Sequence, residues 1–211
     1  MQRLIIVFAE LLVGSVIRTV IFDLGGVIVR FTNDPYYQHL AEVSGKKHEF
    51  VKRTIESREL PLLESGRIGI KEFDSIVAKR LGIDRKKMSW FSFYKKTVKL
   101  DYDMMALVDI LHKDYTTAFL SNIDKSRYQY TAKILDMELF DYRFASCYMG
   151  ERKPGVHIYR HAVEQMHIMP DEAVFIDDRL ENVVGARKAG LNVVHFKNRR
   201  FLDVKLAKMG L

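Results

Sequence analysis

Asp23, Ser121, Lys153 and the pair Asp177-Asp178 each close a short apolar run of the chain or stand in the loop that follows one. Their chemistry is complementary. An aspartate can attack phosphorus and carry the transferred group as an aspartyl-phosphate. A serine hydroxyl can donate to a phosphoryl oxygen, and a lysine brings fixed positive charge to the same group. Asp23 with Asp178 can hold a hard cation. Magnesium suits a site with few carboxylates, retained waters and substrate phosphate oxygens. Together these residues meet the needs of phosphoryl transfer, an in-line nucleophile and positive charge around the equatorial oxygens. Each also has an ordinary structural explanation. Ser121-Asn122 can cap a helix, Lys153-Pro154 can be a surface loop, and paired aspartates suit the positive end of a helix. Their common placement at strand ends favours the joint reading.

The elements that must position them follow from the hydrophobic pattern. Val20, Ile21 and Phe22 form a continuous apolar run before Asp23, which suits a strand buried on both faces. Gly25 and Gly26 then allow a sharp turn, and Val27 to Phe31 continues as an extended segment of a hairpin. From about Asn33 to Lys99 the pattern is helical, clearest over Ile70 to Leu81, where Phe73, Ile76, Val77 and Leu81 share a face. Pro61 and the turn Glu64-Ser65-Gly66-Arg67 are expected to divide that region. Trp90, Phe91, Phe93 and Tyr94 read as core packing. From Asp101 onward short strands alternate with helices: strands at Thr116 to Leu120, Phe144 to Cys147, Ala173 to Ile176 and Val193 to Phe196, with helices between them. That alternation implies a mostly parallel sheet with helices on both faces, interrupted after its first strand by an all-helical insert. In such a sheet the strands' carboxyl ends lie on one edge, where ligands bind.

A chain of 211 residues is long enough for one domain plus an insert. The net charge of +7 comes in short clusters such as Lys46-Lys47 and Arg85-Lys86-Lys87, too short for a nucleic-acid patch. A positive field also gathers anionic small substrates. The single cysteine, Cys147, excludes an internal disulfide and fits a reducing cytoplasm. Leu4 to Val13 is apolar but too short to span a membrane and contains Glu10. Residues 1–17 read as an extension of open role, and no membrane association is expected.

The chain resembles the haloacid dehalogenase superfamily of phosphatases from about Arg18 to Arg200. The resemblance rests on four motifs in order: Val20-Ile21-Phe22-Asp23-Leu24-Gly25-Gly26-Val27, Phe119-Leu120-Ser121-Asn122, Gly150-Glu151-Arg152-Lys153-Pro154 and Val174-Phe175-Ile176-Asp177-Asp178-Arg179-Leu180-Glu181-Asn182. It is similar in particular to the branch with sugar-1-phosphate phosphatases and the phosphatase domain of soluble epoxide hydrolase. The resemblance implies a Rossmannoid α/β core over residues 18–32 and 100–211 and a helical-bundle cap over 33–99. It also implies Asp23 as nucleophile, with Ser121, Asn122 and Lys153 at the substrate phosphate. Magnesium would be held by Asp23, Asp178 and the backbone carbonyl of Gly25, supported by Asp177 and Asn182. The expected partner is a small phosphorylated metabolite, with oligomeric state open.

One position departs from the pattern. Most phosphatases of the superfamily carry a second aspartate two residues after the nucleophile, which protonates the leaving group and later activates water. Here that residue is Gly25. Either another group serves, or the leaving group needs little protonation, or the reaction differs. Carbon–halogen hydrolysis, carbon–phosphorus hydrolysis with a cap lysine such as Lys46, Lys47 or Lys52, and non-catalytic metabolite binding are the alternatives. The intact Asp177-Asp178 pair speaks against the dehalogenase reading, because dehalogenases of the family resemble metal-free enzymes.

Overall fold

The computed structural model describes residues 16–211. Most of the extension considered at residues 1–17 therefore lies outside the described residues. Strand β1 (Thr19–Phe22) is the centre of a five-stranded sheet. It pairs in parallel with β4 (Thr116–Ser121) on one side and β6 (Ala173–Asp177) on the other. The outer strands are β5 (Tyr142–Ala145), beside β4, and β7 (Asn192–His195), beside β6. The order β5-β4-β1-β6-β7 is parallel throughout. β2 (Val29–Arg30) and β3 (Lys99–Leu100) form a separate antiparallel pair where the chain leaves for the helical insert and returns from it.

The apolar run of β1 reads as it does because both of its faces are covered. Val20 and Phe22 pack with Phe119, Val174 and Ile176 against Met104, Leu107, Val108 and Leu111 of the helix Tyr102–His112 and against Leu202 and Leu206 of the helix Arg199–Ala207. Ile21 points the other way, with Ala118, Leu120 and Phe175, against Ile158, Tyr159, Ala162 and Val163 of the helix Val156–Gln165 and Ala186 of the helix Leu180–Lys188. Truncating a fully buried phenylalanine such as Phe22 or Phe175 would cost about 3–5 kcal/mol. The sheet edge is thus held between two dry layers, and the strand ends cannot drift relative to one another.

Between β2 and β3 the chain is helical from Asp34 to Thr97, with a core of its own made by Tyr36, Tyr37, Leu40, Val51, Ile55, Phe73, Val77 and Trp90. The periodicity over Ile70–Leu81 corresponds to one helix with those bounds, closed by Gly82 in the left-handed conformation. Pro61, however, does not break the insert. Residues 48 to 64 run on as one helix, with a π-helical turn at Ile55–Glu59 placed just before the proline. The Leu60 N–H reaches Ile55 O across that widened turn, so the hydrogen bond Pro61 cannot make falls at a place where the ladder has already changed step. The division comes later, at Ser65-Gly66. The expected strand at Phe144 to Cys147 is likewise shifted: β5 ends at Ala145, and Ser146–Met149 turns as a short helix. No helix among the described residues is long and apolar enough to cross a membrane.

Candidate active site

The carboxyl ends of β1, β4 and β6 and the loop after Ser146–Met149 meet at a cavity of about 430 Å³, lined by Asp23, Gly25, Ser121, Asn122, Lys153 and Asp178 among others. The residues drawn from four separate motifs therefore share one space. Asp23 is 6% exposed and Lys153 1%. The Lys153 Nζ lies 2.8 Å from Asp23 Oδ1 and 2.7 Å from Asp177 Oδ2, so a buried ammonium bridges two carboxylates. Asp23 Oδ1 also accepts the Leu24 N–H at 2.7 Å. Both interactions fall on one oxygen, which leaves Oδ2 facing the cavity without a hydrogen bond among the described residues.

The second aspartate pair divides its labour. Asp177 Oδ2 takes Lys153, while Oδ1 accepts the Arg179 N–H at 2.8 Å, and the Asn182 amide donates to both oxygens. Tyr159 holds Asn182 in turn by donating to its carbonyl at 2.8 Å. Asp178 is left with a half-exposed side chain, its backbone carbonyl beside His195 Nε2 at 2.9 Å. One oxygen each from Asp23, Asp177 and Asp178 lie within 4.8 Å of one another. That cluster of hard ligands fits a divalent cation, with Asp178 the member least engaged elsewhere. Gly26 gives it room: its φ is +79°, and a Cβ there would stand 2.3 Å from Asp178 Oδ2.

Asn122, expected at the phosphate, has its amide engaged with the Lys153 backbone. It donates to the Lys153 carbonyl and accepts the Lys153 N–H, both at 2.9 Å. The arrangement fixes the loop that delivers the lysine. Ser121 ends β4 against the cavity, and its hydroxyl makes no hydrogen bond among the described residues.

Burial raises the Asp23 carboxyl to about 7, with Asp177 and Asp178 adding to the effect and Lys153 opposing it. Burial works against the charge on Lys153, but Asp23 and Asp177 outweigh it and raise its pKa. Asp178 is raised as well, by burial first and Asp177 second. Too many negative charges share this space for one lysine, and a cation would draw the carboxylates back to their ionised forms.

The far wall of the cavity is shared between the helical insert and residues of the core, and was not legible as a motif. Glu64 accepts from Arg127 at 3.1 Å and from Arg152 at 3.0 Å. Arg127, 2% exposed, also pairs with Asp124, which takes the Trp90 indole N–H at 3.2 Å. The Arg127 guanidinium lies 4.8 Å from the Trp90 ring centre. Ser146 donates to the Glu64 carbonyl at 2.6 Å. Glu56, on the π-helical turn, accepts the Tyr37 hydroxyl at 3.0 Å. Phe31, Leu60, Pro61 and Tyr94 also line the cavity. The only sequence signal for the ion network was Asp124 three residues before Arg127, a spacing common on solvated helices.

A family model described as a haloacid dehalogenase-like hydrolase matches residues 17–190. A sesquiterpene phosphatase of Aspergillus oryzae is 27% identical, over 84% of this chain and 89% of its own. A D-ribitol-5-phosphate phosphatase of Bacteroides thetaiotaomicron is 24% identical, over 86% and 93%. Among solved structures, a haloacid dehalogenase family enzyme from Bacteroides thetaiotaomicron, in complex with magnesium and inorganic phosphate, superposes with a TM-score of 0.73 at 20% identity, over 86% of this chain and 94% of that one.

Proposed function

This chain belongs to the haloacid dehalogenase-like hydrolase family, and from that premise we propose that it is a magnesium-dependent phosphomonoesterase of small phosphorylated metabolites, acting through an aspartyl-phosphate on Asp23. The observation that carries this reading is the buried Lys153 clamped between Asp23 and Asp177 at the floor of a cavity that also holds Asp178. The phosphatases among the relatives and the magnesium and phosphate in the structural neighbour support it.

In this reading Asp23 Oδ2 attacks phosphorus while the ester oxygen departs on the opposite side. Lys153 and the Ser121 hydroxyl stabilise charge on the phosphoryl oxygens. Water then attacks phosphorus, the bond to Asp23 breaks, and inorganic phosphate leaves. Asp23, Asp178 and the Gly25 carbonyl would hold magnesium, which when bound neutralises carboxylate and phosphate charge and orients the phosphoryl group. Asp177 and Asn182 set Lys153 and the Asp178 turn, and Asn122 holds the lysine's loop. Residues 18–32 with 100–211 form the catalytic core, and 33–99 form a cap whose Glu56, Leu60, Pro61 and Glu64 face the substrate. A buried free cysteine suits a cytoplasmic enzyme. The relatives act on compounds as unlike as a sesquiterpene and a polyol phosphate, so the cap rather than the family sets the substrate.

Asp23→Asn is nearly isosteric and a very poor nucleophile. Phosphate release from an ester panel with magnesium should fall by at least about three orders of magnitude, and chelator should silence the wild type. Turnover of the variant within about tenfold of wild type, a loss under about 1.4 kcal/mol, would refute the covalent mechanism.

A further inference from the structure

Gly25 is a glycine for a reason that lies across the cavity. Its φ is outside the left-handed range, so its backbone admits a side chain. A Cβ placed there would stand 3.0 Å from Phe31 Cε1 and 3.6 Å from Cζ. Even a methyl group requires the ring to yield by a few tenths of an ångström, and a carboxylate needs more. The Phe31 ring therefore takes the space that a side chain two residues beyond Asp23 would need.

The ring is half-buried and packed on one side. Tyr94 packs edge-on against it with centroids 5.3 Å apart, and the Arg127 guanidinium lies 5.8 Å from its centre. Arg127 is itself pinned by Asp124 and Glu64. Phe31, Gly25 and Asp23 line one cavity, and Tyr94, Leu60 and Pro61 extend the apolar wall. The cavity's remaining carboxylates each have a partner, with exposed Glu56 engaged through one oxygen only. Glu64 has an arginine on each oxygen, Glu181 pairs with Arg179, and Glu56 is held by Tyr37.

We propose, building on the phosphatase reading, that Phe31 is a specificity-determining residue. It substitutes an aromatic face for a proton donor beside the leaving group, and so selects phosphate esters whose leaving oxygen is weakly basic and whose adjoining surface is flat or apolar. Aryl and enol phosphates meet both conditions; phosphates of primary polyols meet neither. A leaving alkoxide needs a proton to depart, and general acid help of that kind is worth about 10²- to 10⁴-fold. A weakly basic phenolate or enolate needs little help, and its face gains contact with the ring.

The test is kcat/KM across phosphate monoesters of graded leaving-group pKa, from 4-nitrophenyl and phenyl phosphate to glycerol 1-phosphate, at saturating magnesium, for wild type, F31L, G25D and G25D/F31A. The wild type should favour the aryl esters by at least about 100-fold. F31L keeps apolar bulk but loses the ring, and the aryl-to-primary ratio should fall about fivefold. G25D alone should lose activity on every ester, and G25D/F31A should recover primary esters at least about tenfold relative to G25D. A flat wild-type series overturns the proposal and directs attention to Glu56. So does F31L lowering all esters by one factor, or G25D accelerating primary esters while Phe31 is still present. If G25D/F31A fails to fold by thermal unfolding, the F31L ratio decides. A wild type that releases phosphate from no ester overturns the phosphatase reading as well, whereas an active wild type with an unmoved ratio overturns only the role of Phe31.

Discussion

Without magnesium, Asp23 should make the folded protein lose stability as pH rises. Its carboxyl stands at about 7 against an ordinary 3.8, chiefly because it is buried and also because Asp177 and Asp178 are near. A carboxyl with a folded pKa above its unfolded one binds its proton more tightly in the native state. The unfolded chain then holds fewer protons than the folded one between those two values, and the slope of stability with pH is negative there. The gap from 3.8 to about 7, at roughly 1.4 kcal/mol per pH unit, amounts to about 4 kcal/mol. Asp178 is shifted in the same direction and adds to the trend. Lys153, raised above 10.5, changes charge outside the window. The assay is urea unfolding in chelator from pH 4 to pH 8, for wild type and Asp23→Asn. The substituted amide cannot titrate, so the wild-type-minus-variant difference reports this carboxyl together with its coupling to Lys153, Asp177 and Asp178. That difference should fall by about 4 kcal/mol across the range and level off above pH 7. Saturating magnesium, which favours the ionised carboxylates and binds the folded state, should shrink the decline. A difference that is flat or rises with pH would show that Asp23 stays ionised throughout and that Lys153 outweighs burial.

Gly26→Ala should displace Asp178, since its Cβ would stand 2.3 Å from Oδ2 and the backbone there is left-handed; the magnesium concentration for half-maximal activity should rise at least about tenfold, a loss of about 1.4 kcal/mol, and an unchanged value would place the cation away from Asp178. Arg127→Met should destabilise the fold by about 3–5 kcal/mol in urea unfolding, because it leaves Asp124 buried without its cation and Glu64 with Arg152 alone. A cost below about 1 kcal/mol would show that pair to be effectively solvated.

The residues that declare themselves in the sequence are those whose backbone context is local. Asp23 ends a four-residue strand buried on both faces, and its apolar run with two following glycines can be seen without knowing what covers it. Ser121 and Asp177-Asp178 are marked in the same way, by strands whose parallel pairing with β1 sends their ends to one edge. The second set of site residues depends on chain crossing. Glu64 meets Arg127 across 63 positions and Arg152 across 88, and no period of 2 or 3.6 carries such information. Phe31 is similar. One more aromatic at the end of a hairpin looks like core, and only the position of its ring relative to Gly25 gives it a bearing on the leaving group. Pro61 misleads for a local reason: the rule that proline breaks a helix assumes an unbroken i to i−4 ladder, and the π-helical turn at Ile55–Glu59 removes that assumption.

The charges at the sheet edge explain why proton and cation should compete for one place. With Asp23, Asp177 and Asp178 ionised and Lys153 protonated, three negative charges face one positive, a net of −2 before any substrate arrives. Burial, with Asp177 and Asp178 adding to it and Lys153 opposing, raises the Asp23 pKa, and a proton bound there removes one of those negative charges. A protonated Asp23 cannot attack phosphorus, and an incoming phosphate dianion would hold the proton still more firmly. Lys153 brings only one positive charge to the cavity floor, and its ammonium is already shared between two carboxylate oxygens. A divalent cation between Asp23 and Asp178 would supply the two missing charges and free the nucleophile from its proton. It would do so at the one member of the aspartate pair not tied up by Asn182 and Lys153. The same electrostatics that favour a proton on Asp23 without magnesium thus favour an ionised nucleophile with it.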